Sequence, residues 1–336
     1  MDEDTIYQCG MCGYCLDTCS VYATTYRESM SPRGKLLLVK NFAEGILTDP
    51  AAITKRVYTC TLCGNCKDAC PSKTDIPSVI KEWRNTHPYQ DTVLESCVKS
   101  VFEKGNPYNK AQSQREMWYT GDDTDSSTAY FPGCTTSLMQ PQIAESFLRI
   151  MKNRLSLQII DDVCCGSILS KTGFEEESKR IIEKNIEYFK EKGIKTLITS
   201  CAGCYSFFLE YPFNIKVMHT SQVITEYLDE CNPQPIRTTY HDPCHLVRNS
   251  ITFQPRHILK EISEYTEKEH QMCCGAGGGM LLTSLKLADS ICSTMLRDSA
   301  PNRTVVTACP FCLYHMKRNS FHEMLSLEEV AALCIL

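Results

Sequence analysis

The sequence predicts a multidomain protein of mixed α+β and α/β class, in which a helical N-terminal module precedes a duplicated α/β domain. Three observations lead there. The first hundred residues hold two matching cysteine groups separated by a segment of helical character, and from residue 129 onward a set of cysteine motifs occurs twice. Short β-branched runs in that second region each end on a cysteine pair.

In chain order, residues 1–104 form the first module. Ser31-Pro32 is a helix start, and Leu36, Leu37, Val39, Lys40 and Phe42 make a partly apolar stripe up to Gly45. Residues 105–128 hold Gly105-Asn106-Pro107 and the run from Gly121 to Ser127, little periodicity and many breakers, and read as a connector. Residues 129–235 and 236–336 are the two copies. Cys134 recurs at Cys244, Cys164-Cys165-Gly166 at Cys273-Cys274-Gly275, and Cys201-x-x-Cys204 at Cys309-x-x-Cys312, at offsets of 110, 109 and 108 residues. Each copy is expected to run strand, first cysteine, helix, CCG turn, helix, strand, CxxC, closing helix. Phe174, Ile181, Ile182, Ile186 and Phe189 share one face of a helix stopped by Gly193, and Ala288, Ile291, Cys292, Met295 and Leu296 do the same in the second copy. The strands Thr196–Ser200 and Thr304–Ala308 deliver the CxxC pairs at the edge where open α/β sheets place their sites.

The 336 residues are 43% apolar, enough for two or three cores without disulfide staples. The 22 cysteines fall in tight CxxC and CC groups, the pattern of metal ligands rather than of disulfide partners. The start MDEDTIYQCG is acidic and lacks the basic and apolar parts of a secretory signal, so a reducing, cytoplasmic compartment is expected. No run approaches the roughly 18 to 20 apolar residues that cross a bilayer, which leaves peripheral membrane attachment to a partner subunit. A formal net charge of −5, with no basic stripe, argues against nucleic acid.

Cys9-x2-Cys12-x2-Cys15-x3-Cys19 and Cys60-x2-Cys63-x2-Cys66-x3-Cys70-Pro71 repeat the bacterial ferredoxin run, whose fourth cysteine serves the other cluster. Cys9, Cys12, Cys15 and Cys70 are therefore expected to hold one cubane [4Fe–4S] cluster, and Cys60, Cys63, Cys66 and Cys19 the other. Gly13 and Gly64 free the backbone to curl around sulfide. Zinc also takes four thiolates, but zinc sites do not require a doubled run of this spacing. Cys19 is followed by Ser20 where the pattern has proline.

Each later copy has five cysteines: Cys134, Cys164, Cys165, Cys201 and Cys204, then Cys244, Cys273, Cys274, Cys309 and Cys312. Five thiolates exceed what a cubane or a zinc ion uses, so a less regular site is expected. A CC pair can grip one site only where the backbone turns, which Gly166 and Gly275 allow.

The pattern C-x29-CCG-x34-CxxC, then C-x28-CCG-x33-CxxC, resembles the paired cysteine-rich domains of heterodisulfide reductase. With a double ferredoxin module ahead of it, the layout is similar to the family of D-type subunits of that enzyme over nearly the whole chain. Tyr130–Cys134, His241–His245, Cys273–Gly279 and Ala308–Cys312 carry the resemblance most specifically. It implies a noncubane [4Fe–4S] cluster in each copy, held by all five cysteines, that cleaves the coenzyme M–coenzyme B disulfide one electron at a time, usually in methanogenic archaea. Relatives of the same domain order are the iron–sulfur subunits of glycolate oxidase and of anaerobic glycerol-3-phosphate dehydrogenase, which typically keep only part of the CxxC pairs.

Two functions stay open: a catalytic subunit, or an electron wire from an FAD-bearing dehydrogenase subunit. Both complete quintets favour the first, with the second copy as the active one. His241 and His245 flank Cys244 as proton donors to a leaving thiolate, or as hydrogen-bond partners of cluster sulfur or backbone. Gly277-Gly278-Gly279 lacks the strand–turn–helix context of a nucleotide loop and reads as a place of close backbone approach to cluster or substrate. No flavin or nicotinamide fingerprint is present, so any hydride chemistry belongs to another subunit. The resemblance implies a redox partner of that kind, a membrane cytochrome b or a flavoprotein or hydrogenase-type subunit. Arg248, Lys286, Lys317 and Arg318 are candidate cations for an anionic substrate. Cys97, Cys231, Cys292 and Cys334 read as structural thiols.

Overall fold

In the computed structural model, residues 3–115, 118–119, 125–161, 163–297 and 302–335 are described. The chain divides into two compact units: Met1–Val98 with Ile168–Ser178 and Met272–Asp298, and Lys99–Ser167 with Lys179–Gln271 and Ser299–Leu336. The boundaries expected from the sequence follow the chain, whereas packing groups two later segments with the N-terminal one.

The first unit is helical. Ser31 caps the helix Pro32–Ala43, its hydroxyl accepting from the Gly34 amide at 2.9 Å, with proline at the first turn. Leu36 and Val39 face the core, but Leu37 is 39% exposed and does not belong to the apolar stripe. Asp49 caps Pro50–Val57 and Asp75 caps Ile76–Thr86 in the same way. The faces of these three helices close over Val57, Ile80 and Trp83, whose indole N–H donates to the Thr54 hydroxyl at 3.0 Å. The helix Leu285–Leu296 joins this unit, packing Ala288 and Ile291 onto Val21 and Met30.

The second unit contains both sheets. β1 (Thr128–Phe131), β2 (Gln158–Ile159), β3 (Thr196–Thr199) and β4 (Lys216–His219) form one parallel sheet in the order β2-β1-β3-β4. β5 (Arg237–His241), β6 (Glu264–Thr266), β7 (Thr304–Thr307) and β8 (Met324–Ser326) form the other in the matching order β6-β5-β7-β8. Phe131 pairs with Thr199 and His241 with Thr307, so the central strands of each sheet end level and release their cysteines at one edge. The residue pattern marks only these central strands. The outer ones run two to four residues, too short for an alternation to register.

Part of the connector is docked, not loose. Arg115 is fully buried and pairs with Asp161 at 2.7 Å, while the Trp118 indole donates to the other Asp161 oxygen at 3.0 Å. The Gly121–Thr124 part of the expected connector lies outside the described residues.

The two copies meet through the helices Pro141–Met151 and Leu327–Ala332. Glu328 is buried there and accepts from the Thr220 hydroxyl at 2.6 Å. Desolvation pushes its carboxyl up to about 7. A carboxyl raised on folding stabilises the native state fully below its unfolded value near 4.3, and that contribution is lost as pH rises through the folded value. Anaerobic denaturant unfolding of Glu328→Gln should accordingly lose less stability than the parent between about pH 5 and 7.5; equal slopes for both proteins would show that Glu328 is not the group responsible.

Candidate metal centres

The ferredoxin runs adopt one backbone conformation twice. Met11 and Leu62 have φ of 54° and 55°, and Gly13 and Gly64 have φ of 95° and 90°. Two left-handed residues within each CxxCG turn wind three sulfurs around one point, at a steric cost for the non-glycine member. One cavity is lined by Cys9, Cys12, Cys15 and Cys70. A second is lined by Cys19, Cys60, Cys63 and Cys66. Each run thus contributes three sulfurs to one cavity and its last to the other. Cys19 caps the helix Ser20–Thr25 and accepts from the Tyr22 amide at 3.5 Å, so a helix start serves where Cys70 has proline. Leu62 N–H likewise donates to the Cys60 sulfur at 3.5 Å. Burial pushes the Cys19 thiol up to about 11 and that of Cys66 further. Thiols so desolvated favour a bound cation that lets them shed their protons.

In the second unit the first quintet is contiguous. The Cys134 sulfur contacts Cys164, Cys165 contacts both Cys164 and Cys204, and Cys204 contacts Cys201. Hydrogen bonds from Cys164 and Cys204 hold the Cys165 thiol down at about 5. Gly166, at φ 84°, makes the turn the adjacent pair requires. Asn185 donates to the Cys164 carbonyl at 2.8 Å, and the Tyr211 hydroxyl donates to the Cys165 carbonyl at 2.5 Å. Neither residue stood out in the sequence, because each lies tens of residues from the turn it fastens. Tyr108 also approaches this quintet, its hydroxyl 2.7 Å from that of Thr135.

Of the second quintet, Cys244, Cys309 and Cys312 stand in the second unit after β5 and β7. The Cys309 sulfur meets Cys201 of the first copy. Cys244 lies 3.5 Å from the His245 ring, and a His241 ring nitrogen comes within 4.8 Å of the Cys312 sulfur. His241 is buried, and its Nδ1 has no hydrogen-bond partner among the described residues. Asp242 is engaged elsewhere, held by Arg256 at 2.6 and 2.9 Å. Of the candidate cations, Lys317 and Arg318 occupy the last turn of the helix Pro310–Asn319, and Arg318 lies over the Tyr314 ring.

Cys273 and Cys274 pack with the first unit. The Cys273 sulfur lies 3.6 Å from the Thr61 hydroxyl and hydrogen bonds with Cys63, which is pushed well up by that contact and by burial. Two of the glycines that follow are pressed on the same segment: a Cβ on Gly277 would meet the Thr61 carbonyl oxygen at 2.7 Å and one on Gly278 would collide with the Cys60 carbonyl oxygen, whereas one on Gly279 would meet the Thr172 side chain. The close approach of Gly277 and Gly278 is to the backbone of the ferredoxin run.

A 4Fe–4S dicluster domain model matches residues 5–74, and a cysteine-rich domain model matches residues 128–208 and 238–317. The chain is 29% identical to the D-type subunit of the dihydromethanophenazine:CoB–CoM heterodisulfide reductase of Methanosarcina acetivorans, over 97% of this chain and 92% of that one. It is a D-like iron–sulfur protein, with the dicluster domain followed by two cysteine-rich domains and a likeness to the D-type subunit over nearly its whole length. The chain is also 27% identical to the B subunit of a fumarate reductase (CoM/CoB) of Methanothermobacter marburgensis, over 94% of this chain and 68% of the relative. To a probable glycolate oxidase iron-sulfur subunit of Bacillus subtilis it is 25% identical, over 97% and 91%. Its relatives are iron–sulfur subunits of oxidoreductases. No helix among the described residues is long and apolar enough to cross a membrane.

Tyr211 offers a check on the first CCG turn. Tyr211→Phe removes the donor to the Cys165 carbonyl while Asn185 keeps that of Cys164, and should cost about 1–3 kcal/mol in anaerobic denaturant unfolding. An unchanged midpoint and slope would mean that the turn is fastened without it.

Proposed function

We propose that this chain is the iron–sulfur catalytic subunit of a heterodisulfide reductase-type enzyme, which reduces the disulfide of coenzyme M and coenzyme B to two thiols. The contact of Cys273 with Cys63 and Thr61 carries the reading, because it sets a cysteine of the second CCG motif against the ferredoxin run. Iron–sulfur clusters supply single-electron steps, and cleaving one disulfide takes two electrons and two protons. Cys9, Cys12, Cys15 and Cys70 would hold one cubane, and Cys19, Cys60, Cys63 and Cys66 the other. The quintets Cys134, Cys164, Cys165, Cys201, Cys204 and Cys244, Cys273, Cys274, Cys309, Cys312 would each hold a noncubane cluster. The two cubane sets and the first quintet fit such groups: thiols converge by fours in the two cavities and in a contiguous set in the first quintet, and backbone amides donate to Cys19 and Cys60.

The second copy is assigned the chemistry. His241, buried with no partner for its Nδ1 among the described residues, and His245, beside the Cys244 sulfur, are placed to give the protons that the departing thiolates take up. The first copy has Phe131 where the second has His241, and so offers no such donor there. Electrons would come from a partner subunit, a cytochrome b or a flavoprotein, with the chain in the cytoplasm or held at the membrane by that partner. The CoM/CoB name of the fumarate reductase relative favours the same thiol–disulfide pair and admits the opposite direction of electron flow. The lower identity to the glycolate oxidase subunit supports a pure electron wire less well.

Anaerobically purified protein should contain about sixteen irons, and titration with thiol and disulfide should raise an EPR species distinct from the cubane signals. Roughly eight irons and no thiol-dependent signal would leave only the wire. Cys274→Ser should abolish disulfide reduction while the N-terminal clusters still accept electrons from a chemical reductant, with Cys165→Ser the milder change. The reverse order would assign the chemistry to the first copy.

A further inference from the structure

Two cations are buried in the first unit without an ion-pair partner among the described residues. Arg84 is 0% exposed. Its Nη1 donates to the carbonyls of Lys171 at 2.7 Å and Gly278 at 2.8 Å, and its Nη2 to those of Val57 at 3.0 Å and Cys60 at 2.7 Å. Its Nε has no hydrogen-bond partner among the described residues, and its guanidinium carbon lies 4.7 Å from the Tyr58 ring centroid. Lys35, 2% exposed, donates to the Met30 carbonyl and lines the cavity of Cys19, Cys60, Cys63 and Cys66. Carbonyl dipoles orient a buried charge but do not neutralise it, and an uncompensated one is strongly unfavourable.

The missing negative charge is at hand in the sulfurs. Those acting on Lys35 are Cys60, Cys19 and Cys66, and Cys60 acts on Arg84. The other cavity differs. Its cation, Arg33, has a 23% exposed side chain and is already paired with Glu28 at 2.7 Å, so its field is partly cancelled and screened by water.

We propose that Lys35 and Arg84 are positioning residues that raise the reduction potential of the cluster held by Cys19, Cys60, Cys63 and Cys66 above that of its neighbour. One added electron makes the site one unit more negative, and a fixed buried cation stabilises the reduced form more than the oxidised form. The downhill step thereby ends at the cavity whose Cys63 touches Cys273. The tuning rests on the cubane ligand sets alone and is independent of the disulfide substrate.

The test is an anaerobic EPR redox titration of the iron-loaded full chain with dithionite and mediators, no substrate being added. In Lys35→Met one cubane signal should titrate lower, its reduced-to-oxidised ratio at a fixed potential falling on the order of tenfold, about 59 mV for one electron. The other signal should stay in place, Lys35→Arg should keep the parent midpoint, and the signal that moves should be the one altered in Cys19→Ser. Arg84→Lys keeps the charge and should hold the midpoint even if it loosens packing. Unchanged midpoints in an iron-replete Lys35→Met, a fall in both signals together, or movement of the signal altered in Cys70→Ser would overturn the proposal. If Lys35→Met loses its iron, Lys35→Gln decides on the same criteria.

Discussion

The N-terminal architecture depends on a reach constraint: a CxxCxxC turn can wind three sulfurs around a point, but the chain has then turned too far for the fourth to arrive. The fourth must come from elsewhere. Because each run supplies the other, Cys19 and Cys70 cross, and neither cavity is complete until both runs and the helices between them are in place. The capped helices Pro32–Ala43, Pro50–Val57 and Ile76–Thr86 fix that spacing. Iron binding and folding of this unit are therefore expected to be linked, since desolvated thiols such as Cys66 gain from a metal what they lose in hydration.

In the duplicated region the same need for convergence is met by parallel sheets. A strand end, a glycine turn and a second strand end bring five sulfurs of the first copy into contact from positions spread over about seventy residues. The register that levels Phe131 with Thr199 is what makes this possible, because a shift of one residue would turn the side chains that follow to opposite faces. Cys201 and Cys309 meeting across the two copies extends the convergence through the duplication.

Much of this was legible because it is written in local spacing. The Ser31-Pro32 start, the apolar face of the helix Glu175–Glu191, the duplication and the strand-to-CxxC junctions all follow from neighbouring residues. What was missed depends on partners distant in sequence. The outer strands take their identity from the strand beside them. The run Gly277–Gly279 signals close approach, but only the fold shows that Gly277 and Gly278 approach Thr61 and Cys60 and Gly279 approaches Thr172. Nothing in the sequence neighbours of Arg84 and Lys35 announces that they are buried. Asn185 and Tyr211 gave no signal for the same reason.

The crossing of Cys19 and Cys70 is the claim on which both the electron route and the tuning of its end point stand. Anaerobic crystallography of the iron-loaded chain with anomalous data at the iron edge addresses it directly. Two four-iron peaks are expected in the first unit, one bonded to Cys9, Cys12, Cys15 and Cys70 and one to Cys60, Cys63, Cys66 and Cys19. Iron bonded to Cys9, Cys12, Cys15 and Cys19 together, or single zinc ions in their place, would contradict it.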